Sequence, residues 1–250
     1  MSLCLVANWK LNGSKEFNHQ WALEFLRNFN GNNYSSIGIA PASLYIDHLK
    51  VVLADYDIKI GSQNIDIEQT GARTGEISAS MIKDLGCSFS IVGHSERRTL
   101  FNETNQMICQ KLIQANEYLL IPILCIGESA DENQSNKTFN VLEKQIVEAL
   151  EDASELSSLI IAYEPVWAIG SGKTPSPEEI NSVHEMIKDV VQSRFPKISL
   201  KSVLYGGSVN CKNASSLFEQ KSIDGALVGG ASLDGREFAL IANVFNELGV

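Results

Sequence analysis

Short, continuous apolar runs alternate along the chain with segments whose hydrophobic residues recur at helical period. Eight runs read as strands: Leu3–Ala7, Ile37–Ala40, Ile58–Gly61, Phe89–Val92, Ile121–Ile126, Leu159–Tyr163, Ser202–Tyr205 and Gly225–Val228. They do not alternate apolar with polar residue by residue, so each is expected to be buried on both faces, as in a parallel sheet. Between them lie amphipathic stripes: Phe17, Trp21, Phe25, Leu26 and Phe29, then Phe139, Leu142, Ile146, Ala149 and Leu150, then Ile180, Val183, Ile187, Val190 and Val191. The third stripe starts at Ser176-Pro177-Glu178-Glu179, which supplies a capping Ser, a Pro at the first helical position and a Glu three residues after the cap. The helices after strands 3 and 7 are marked only by Ser80 to Leu85 and by Asn213 to Phe218.

No linker, composition shift or low-complexity tract divides the 250 residues. Eight strand–helix alternations in this length predict an α/β fold, a single-domain (β/α)8 barrel over residues 1–250. A doubly wound open sheet is the alternative, but the turn after strand 1 lacks a G-x-G-x-x-G phosphate fingerprint.

Composition narrows the partners. An apolar content of 44% is that of a chain able to bury a core. The net charge of −10 leaves no excess of Lys or Arg to neutralise phosphates, which argues against nucleic acid. An anionic ligand must then be held locally, by backbone N–H groups and a lysine. Five cysteines at 4, 87, 109, 125 and 211, with no C-x-x-C pair, fit neither a disulfide framework nor a zinc site. The N-terminus has no basic segment ahead of an apolar one, and no apolar run approaches the ~20 residues of a membrane span. A cytoplasmic protein without membrane contact is expected.

In a barrel, residues just past each strand's C-terminal end share one rim. Strand 1 is followed by Asn8-Trp9-Lys10, strand 4 by Gly93-His94-Ser95-Glu96, and strand 5 contributes Cys125 and then Glu128. Strand 6 stops at Glu164, strand 7 at Gly206-Gly207-Ser208 and strand 8 at Gly229-Gly230. Each residue also has an ordinary reading. Glu164 alone could be a solvated turn carboxylate, Lys10 a snorkelling surface lysine and His94 a satisfied structural histidine. His94 precedes a helix start, where a nearby positive charge is disfavoured, so a neutral imidazole is expected there. Cys125 reads as a packing residue. His19, His48 and His184 lie in helical segments without metal-ligand spacing, and no metal is expected.

The run Gly170-Ser171-Gly172-Lys173-Thr174 invites comparison with a P-loop, and the comparison fails. The first glycine of that motif would fall on Trp167, and Pro175 and Pro177 prevent a helix from starting at Gly172-Lys173. These glycines, with those after strands 7 and 8, instead expose peptide N–H groups to an anion.

Long ordered segments resemble the triosephosphate isomerase family across nearly the whole chain. They are Ala7-Asn8-Trp9-Lys10-Leu11-Asn12, Gly93-His94-Ser95-Glu96-Arg97-Arg98, Cys125-Ile126-Gly127-Glu128, the stretch from Ala162 to Gly170, Tyr205-Gly206-Gly207-Ser208-Val209, and Leu227 to Leu233. The resemblance implies a TIM barrel that interconverts dihydroxyacetone phosphate and glyceraldehyde 3-phosphate through a cis-enediolate, with no cofactor. It implies Glu164 as base, His94 as neutral electrophile and Lys10 as a source of positive potential. Asn8 would bond the same side of the substrate. Peptide N–H groups at Gly170, Ser208, Gly229 and Gly230 would hold the phosphate under a lid of residues 165–175. Ser95, Glu96, Cys125, Glu128 and Trp167 would support the site.

By the same resemblance, Asn64 to Glu76 is the loop by which two identical subunits clasp, Thr74 reaching the partner's site. The sequence departs from the family pattern at Arg73, where an aromatic is more usual, at Ser171 for Thr and at Pro175 for Ala. Two other classes remain open at this point: another phosphate-binding barrel isomerase or epimerase, and a catalytically silent barrel used for binding.

Overall fold

The computed structural model of the chain describes residues 3–168 and 174–248. Eight parallel strands pair in sequence order, and β1 returns to β8 to close the barrel. They are β1 (Leu5–Asn8), β2 (Ile37–Ala40), β3 (Lys59–Ser62), β4 (Phe89–Val92), β5 (Ile121–Ile126), β6 (Leu159–Tyr163), β7 (Leu200–Tyr205) and β8 (Ala226–Val228). Closure is made by Leu5, Val6 and Ala7 in register with Ala226, Leu227 and Val228. The helices are α1 (Lys15–Asn28), α2 (Ile46–Val52), α3 (Ala79–Asp84), α4 (Ser95–Leu100), α5 (Asn105–Glu117), α6 (Ala130–Gln134), α7 (Thr138–Leu150), α8 (Pro177–Arg194), α9 (Ala214–Phe218) and α10 (Gly235–Leu248).

The apolar runs are continuous because two cores share each strand. In β5, Ile123 and Cys125 fill the barrel interior while Leu124 and Ile126 face the helices. In β6, Ile160 and Ala162 point inward, and Leu159, Ile161 and Tyr163 outward. The pleat has period two, and both of its faces are dry.

Helix boundaries follow their caps. Ser14 caps α1 by accepting the Phe17 N–H, and Ser176 opens α8 with a reciprocal capping box to Glu179 and Pro177 in the first turn, as expected. A second capping box, Ser129 with Glu132, starts α6, which the apolar pattern did not reveal because the helix buries none of its residues. One expected core residue is corrected. Phe139 stands in the first turn of α7 and is exposed, in a groove with Met186 and Val190, while Leu142, Ile146, Ala149 and Leu150 are buried. The outermost turn of α7 overhangs α8 instead of the sheet.

Among the described residues, no helix is long and apolar enough to cross a membrane. Toward the strands' N-terminal ends, one ring sets the shape of the interior. Phe89 on β4 is fully buried, and it fits because β2 and β3 present Gly38 and Gly61 to it. A Cβ on Gly61 would stand 2.5 Å from the Phe89 ring, in an interior with no free volume to absorb it. Gly61→Ala is therefore expected to cost about 1–3 kcal/mol by overpacking, read from the urea midpoint. Adding Phe89→Leu should recover part of the loss, and an unshifted midpoint for Gly61→Ala alone would refute this packing account.

Candidate active site

The strand ends carry their polar residues to one mouth. A cavity of about 320 Å3 is lined by Asn8, Lys10, His94, Glu164, Gly206, Gly207, Ser208, Val209, Leu227, Gly229, Gly230 and Ala231. Lys10, His94 and Glu164, contributed by the ends of β1, β4 and β6, thus share one enclosure. Asn8, Ser208, Gly229 and Gly230 line it with them. Gly170 and Ser171 lie outside the described residues, as does the middle of the 165–175 segment.

Glu164 is not a solvated turn carboxylate, since it is 1% exposed. One carboxylate oxygen accepts the Ser95 N–H at the start of α4 (2.8 Å), and the other contacts His94 Nε2 at 2.8 Å. Burial pushes this carboxyl up, but the neighbouring imidazole and the bonds from His94 and Ser95 outweigh it and leave it below the usual carboxylate value. Two glycines make the placement possible. A Cβ at Gly206 would stand 2.8 Å from Glu164 Cγ, and one at Gly127 would stand 1.8 Å from the Glu164 carbonyl oxygen.

His94 caps α4 with its own ring: Nδ1 accepts the Glu96 N–H at 3.2 Å. That bond fixes the tautomer, with the proton on Nε2, facing Glu164 and the cavity. Burial pulls the imidazole's pKa down, and the Glu164 carboxylate raises it further, so in the unliganded site the net shift is upward. If Glu164 moves onto a ligand, the principal raising cause goes with it, whereas burial and the nearby Lys10 charge remain.

Lys10 adopts φ +50, an uncommon conformation for a side-chain-bearing residue. Its N–H donates to Asn8 Oδ1 (3.1 Å), and its carbonyl accepts Gln63 Nε2 (2.9 Å), which also donates to the Ala40 carbonyl (2.9 Å). The ammonium pairs with Glu96 at 2.5 Å. A Cβ at Gly229 would lie 3.4 Å from Lys10 Cε, so glycine there leaves the chain its path. Both Gln63 and Arg98 escaped the sequence reading as site residues. Gln63 sits just past the end of β3, where the strand-end rule reaches it. Arg98 bonds the Gly93 and Cys125 carbonyls (2.8 and 2.9 Å) and binds the ends of β4 and β5 together; nothing in local sequence marks that role.

The supporting residues fall on two sides. Cys125 is a packing residue inside the barrel, its thiol pushed well up by burial. Glu128 is fully buried, and burial raises its carboxyl pKa against the hydrogen bonds that lower it. Its Oε1 accepts Trp167 Nε1 (2.7 Å), Tyr163 Oη (3.2 Å) and Asn133 Nδ2 (3.2 Å), and its carbonyl accepts the Val166 N–H (3.1 Å). Glu128 and Trp167 therefore fix the chain immediately after Glu164. His184 is a core residue against Tyr163, its pKa pushed down to about 3 by burial. Thr74 is exposed near the end of the loop after β3 and does not line this cavity. Among the described residues, no group of three or more His, Cys, Asp or Glu stands together as a set of metal ligands.

Parallel strands closed on themselves, with a carboxylate, an imidazole and an ammonium on the C-terminal rim, define the class: a (β/α)8-barrel enzyme equipped for acid–base chemistry. A family model described as triosephosphate isomerase matches residues 3–245. The chain is similar to the curated triosephosphate isomerases of Salmonella newport and Salmonella typhimurium, each 43% identical over 240 residues, with 95% of this chain and 94% of the relative covered. The protein of the same name from Salmonella paratyphi B matches to the same extent. The chain belongs to the triosephosphate isomerase family, whose members are aldose–ketose isomerases.

The Glu164–His94 pair makes stability depend on pH in two opposing senses. Glu164, lowered when folded, contributes stability above the unfolded value of 4.5 that is lost as pH falls through its folded value. His94, raised when folded, contributes stability present below 6.5 and lost as pH rises through its folded value. The difference in unfolding free energy between the wild type and Glu164→Gln should thus climb up to pH 4.5, stay level to pH 6.5 and fall above it. Urea titrations at a series of pH values measure it, and a difference independent of pH would rule out the coupling.

Proposed function

We propose that the whole chain, residues 1–250, works as one catalytic domain interconverting dihydroxyacetone phosphate and D-glyceraldehyde 3-phosphate by proton transfer through a cis-enediolate. The observation that carries this reading is the meeting of Lys10, His94 and Glu164 on a single cavity with the glycine turns after β7 and β8. Glu164 leaves Ser95 and His94, takes the proton from the carbon alpha to the carbonyl, and returns it to the neighbouring carbon. Negative charge develops on the carbonyl oxygen, where His94 Nε2–H donates as neutral imidazole and the Lys10 ammonium supplies fixed positive potential. The hydroxyl proton of the neighbouring carbon passes to that oxygen by way of His94 Nε2, leaving the new carbonyl behind. Asn8 adds a hydrogen bond on that side.

Lys10 must exchange its partner Glu96 for the substrate, and Gln63 keeps its backbone in place while it does so. Backbone N–H groups at Gly170, Ser208, Gly229 and Gly230 hold the phosphate, and a Cβ at Gly230 would meet nothing within 4 Å, which leaves its backbone open to a ligand. Residues 165–175 act as a lid that excludes water from the enediolate, hinged where Trp167 and Val166 meet Glu128. Pro175, with its fixed φ, stiffens the second hinge. The reading calls for no metal and no organic cofactor, and a reducing cytoplasm suits the buried thiols of Cys87, Cys109 and Cys125.

We also propose a homodimer. Leu11 and Leu44 are 97% and 88% exposed, and Leu100 and Phe101 are exposed near Leu11 around a groove of about 500 Å3 that borders Lys10 and His94. Large exposed apolar side chains beside a site mark a surface that another chain covers. The partner's loop, with Thr74 near its end, is the segment assigned to that groove.

In a coupled assay, the purified protein should turn over glyceraldehyde 3-phosphate in the presence of EDTA. Glu164→Gln should lower kcat by about 10²–10⁴-fold with substrate still bound, because the proton transfer alone is removed; near-normal turnover would mean that another group is the base. For the assembly, Leu44→Glu should shift sedimentation toward the monomer, and an unaltered profile would count against the subunit contact.

A further inference from the structure

The loop between β3 and α3 forms a finger over residues 64–77. Its base is closed by the Asp66 N–H on the Ile77 carbonyl (2.8 Å) and fastened by Lys111 Nζ on Asn64 Oδ1 (2.7 Å). Past the base, residues 71–76 are all exposed, and Gly71-Ala72-Arg73-Thr74-Gly75-Glu76 has no large apolar side chain to bury. Its outer backbone is held by two hydrogen bonds, Arg73 N–H to the Gly71 carbonyl (3.0 Å) and Glu76 N–H to the Arg73 carbonyl (3.1 Å). The glycines at 71 and 75 carry φ of +143 and +94. Such a segment has little to offset the entropy of holding one shape.

Gln69 Nε2 donates to Glu117 Oε1 on α5 (2.8 Å), and at the tip itself the Arg73 side chain supplies the charged contact. It folds back on its own loop, Nε standing 2.6 Å from Asp66 Oδ1. The same oxygen accepts the Glu68 N–H at 2.8 Å, so one nearly buried carboxylate gathers three points of the finger. Burial pushes that carboxyl up, and the Glu68 N–H, Arg73 and a hydrogen bond with the Glu76 side chain carry it below its ordinary value.

We propose that Arg73 is a positioning residue, whose bond to Asp66 shapes the finger in the separate protomer so that Thr74 reaches a partner subunit already in place. The proposal rests on the paired-subunit reading above. An ion pair within one chain thereby does the ordering that association would otherwise have to do, and preorganisation of this kind appears as tighter binding.

The test uses the full chain as wild type, Arg73→Gln, Arg73→Lys and the double variant Arg73→Gln/Asp66→Asn, each checked by thermal melting. Hydrogen exchange on dilute protein should show the Arg73 and Glu76 amides exchanging about tenfold or more faster in Arg73→Gln, with Arg73→Lys between the two. Sedimentation should show subunit dissociation strengthened about tenfold in Arg73→Gln and little further in the double variant, because both lesions break one contact. The wild-type dissociation constant should rise with salt, and that of Arg73→Gln should rise less. Exchange unchanged in a folded Arg73→Gln, or loosened exchange with pairing unaltered, overturns the proposal. A wild type that is active and monomeric at every concentration defeats the paired-subunit reading, and the role of Arg73 in pairing with it.

Discussion

The contact on which the rest of the site depends is the one between the Glu164 carboxylate and the His94 imidazole, 2.8 Å apart and both almost wholly buried. A charge taken this far from water is tolerable only with close partners. The fold supplies them from three strands: the Ser95 N–H and His94 beyond β4, space at Gly127 beyond β5, and space at Gly206 beyond β7. The carboxylate and the imidazole are thus held against each other, and the carboxylate is what lifts the imidazole's pKa against its burial.

Electrostatics elsewhere are arranged against the overall field. The chain carries a net charge of −10, yet its cavity is lined by a lysine, a histidine and glycine-rich turns. Positive potential at this mouth is therefore local, and the Lys10–Glu96 pair tempers it. The buried Lys111 is treated in the same way: Glu103 and Asn64 hold it beneath the finger, with burial lowering its pKa. At the finger itself, Arg73 turns back to Asp66, so a charged contact within the loop replaces burial of an apolar side chain.

Much of this was legible in the chain of letters. Eight apolar runs too short for helices, separated by stripes of period 3.6, specify eight strands buried on both faces, since only alternating inside and outside cores make every strand position dry. The cap at Ser176 and the strand-end positions of Lys10, His94 and Glu164 follow from local rules of the same kind. Phe139 was misread because helical period reports a face but not whether that face meets the sheet at the helix's first turn. Helix α6 was missed because it is short and polar.

The sequence by itself determined the strands, their order and the residues placed at their ends, because short-range periodicity and capping act over a few positions. Only the tertiary structure decided what those residues are. Burial made Glu164 a held carboxylate instead of a turn acid, a bond from Glu96 N–H chose the His94 tautomer, and Gln63 and Arg98 became part of the site. Such properties arise between groups far apart in the chain, 69 positions for Ser95 and Glu164, and solvent exclusion and hydrogen-bond geometry have no counterpart in local pattern.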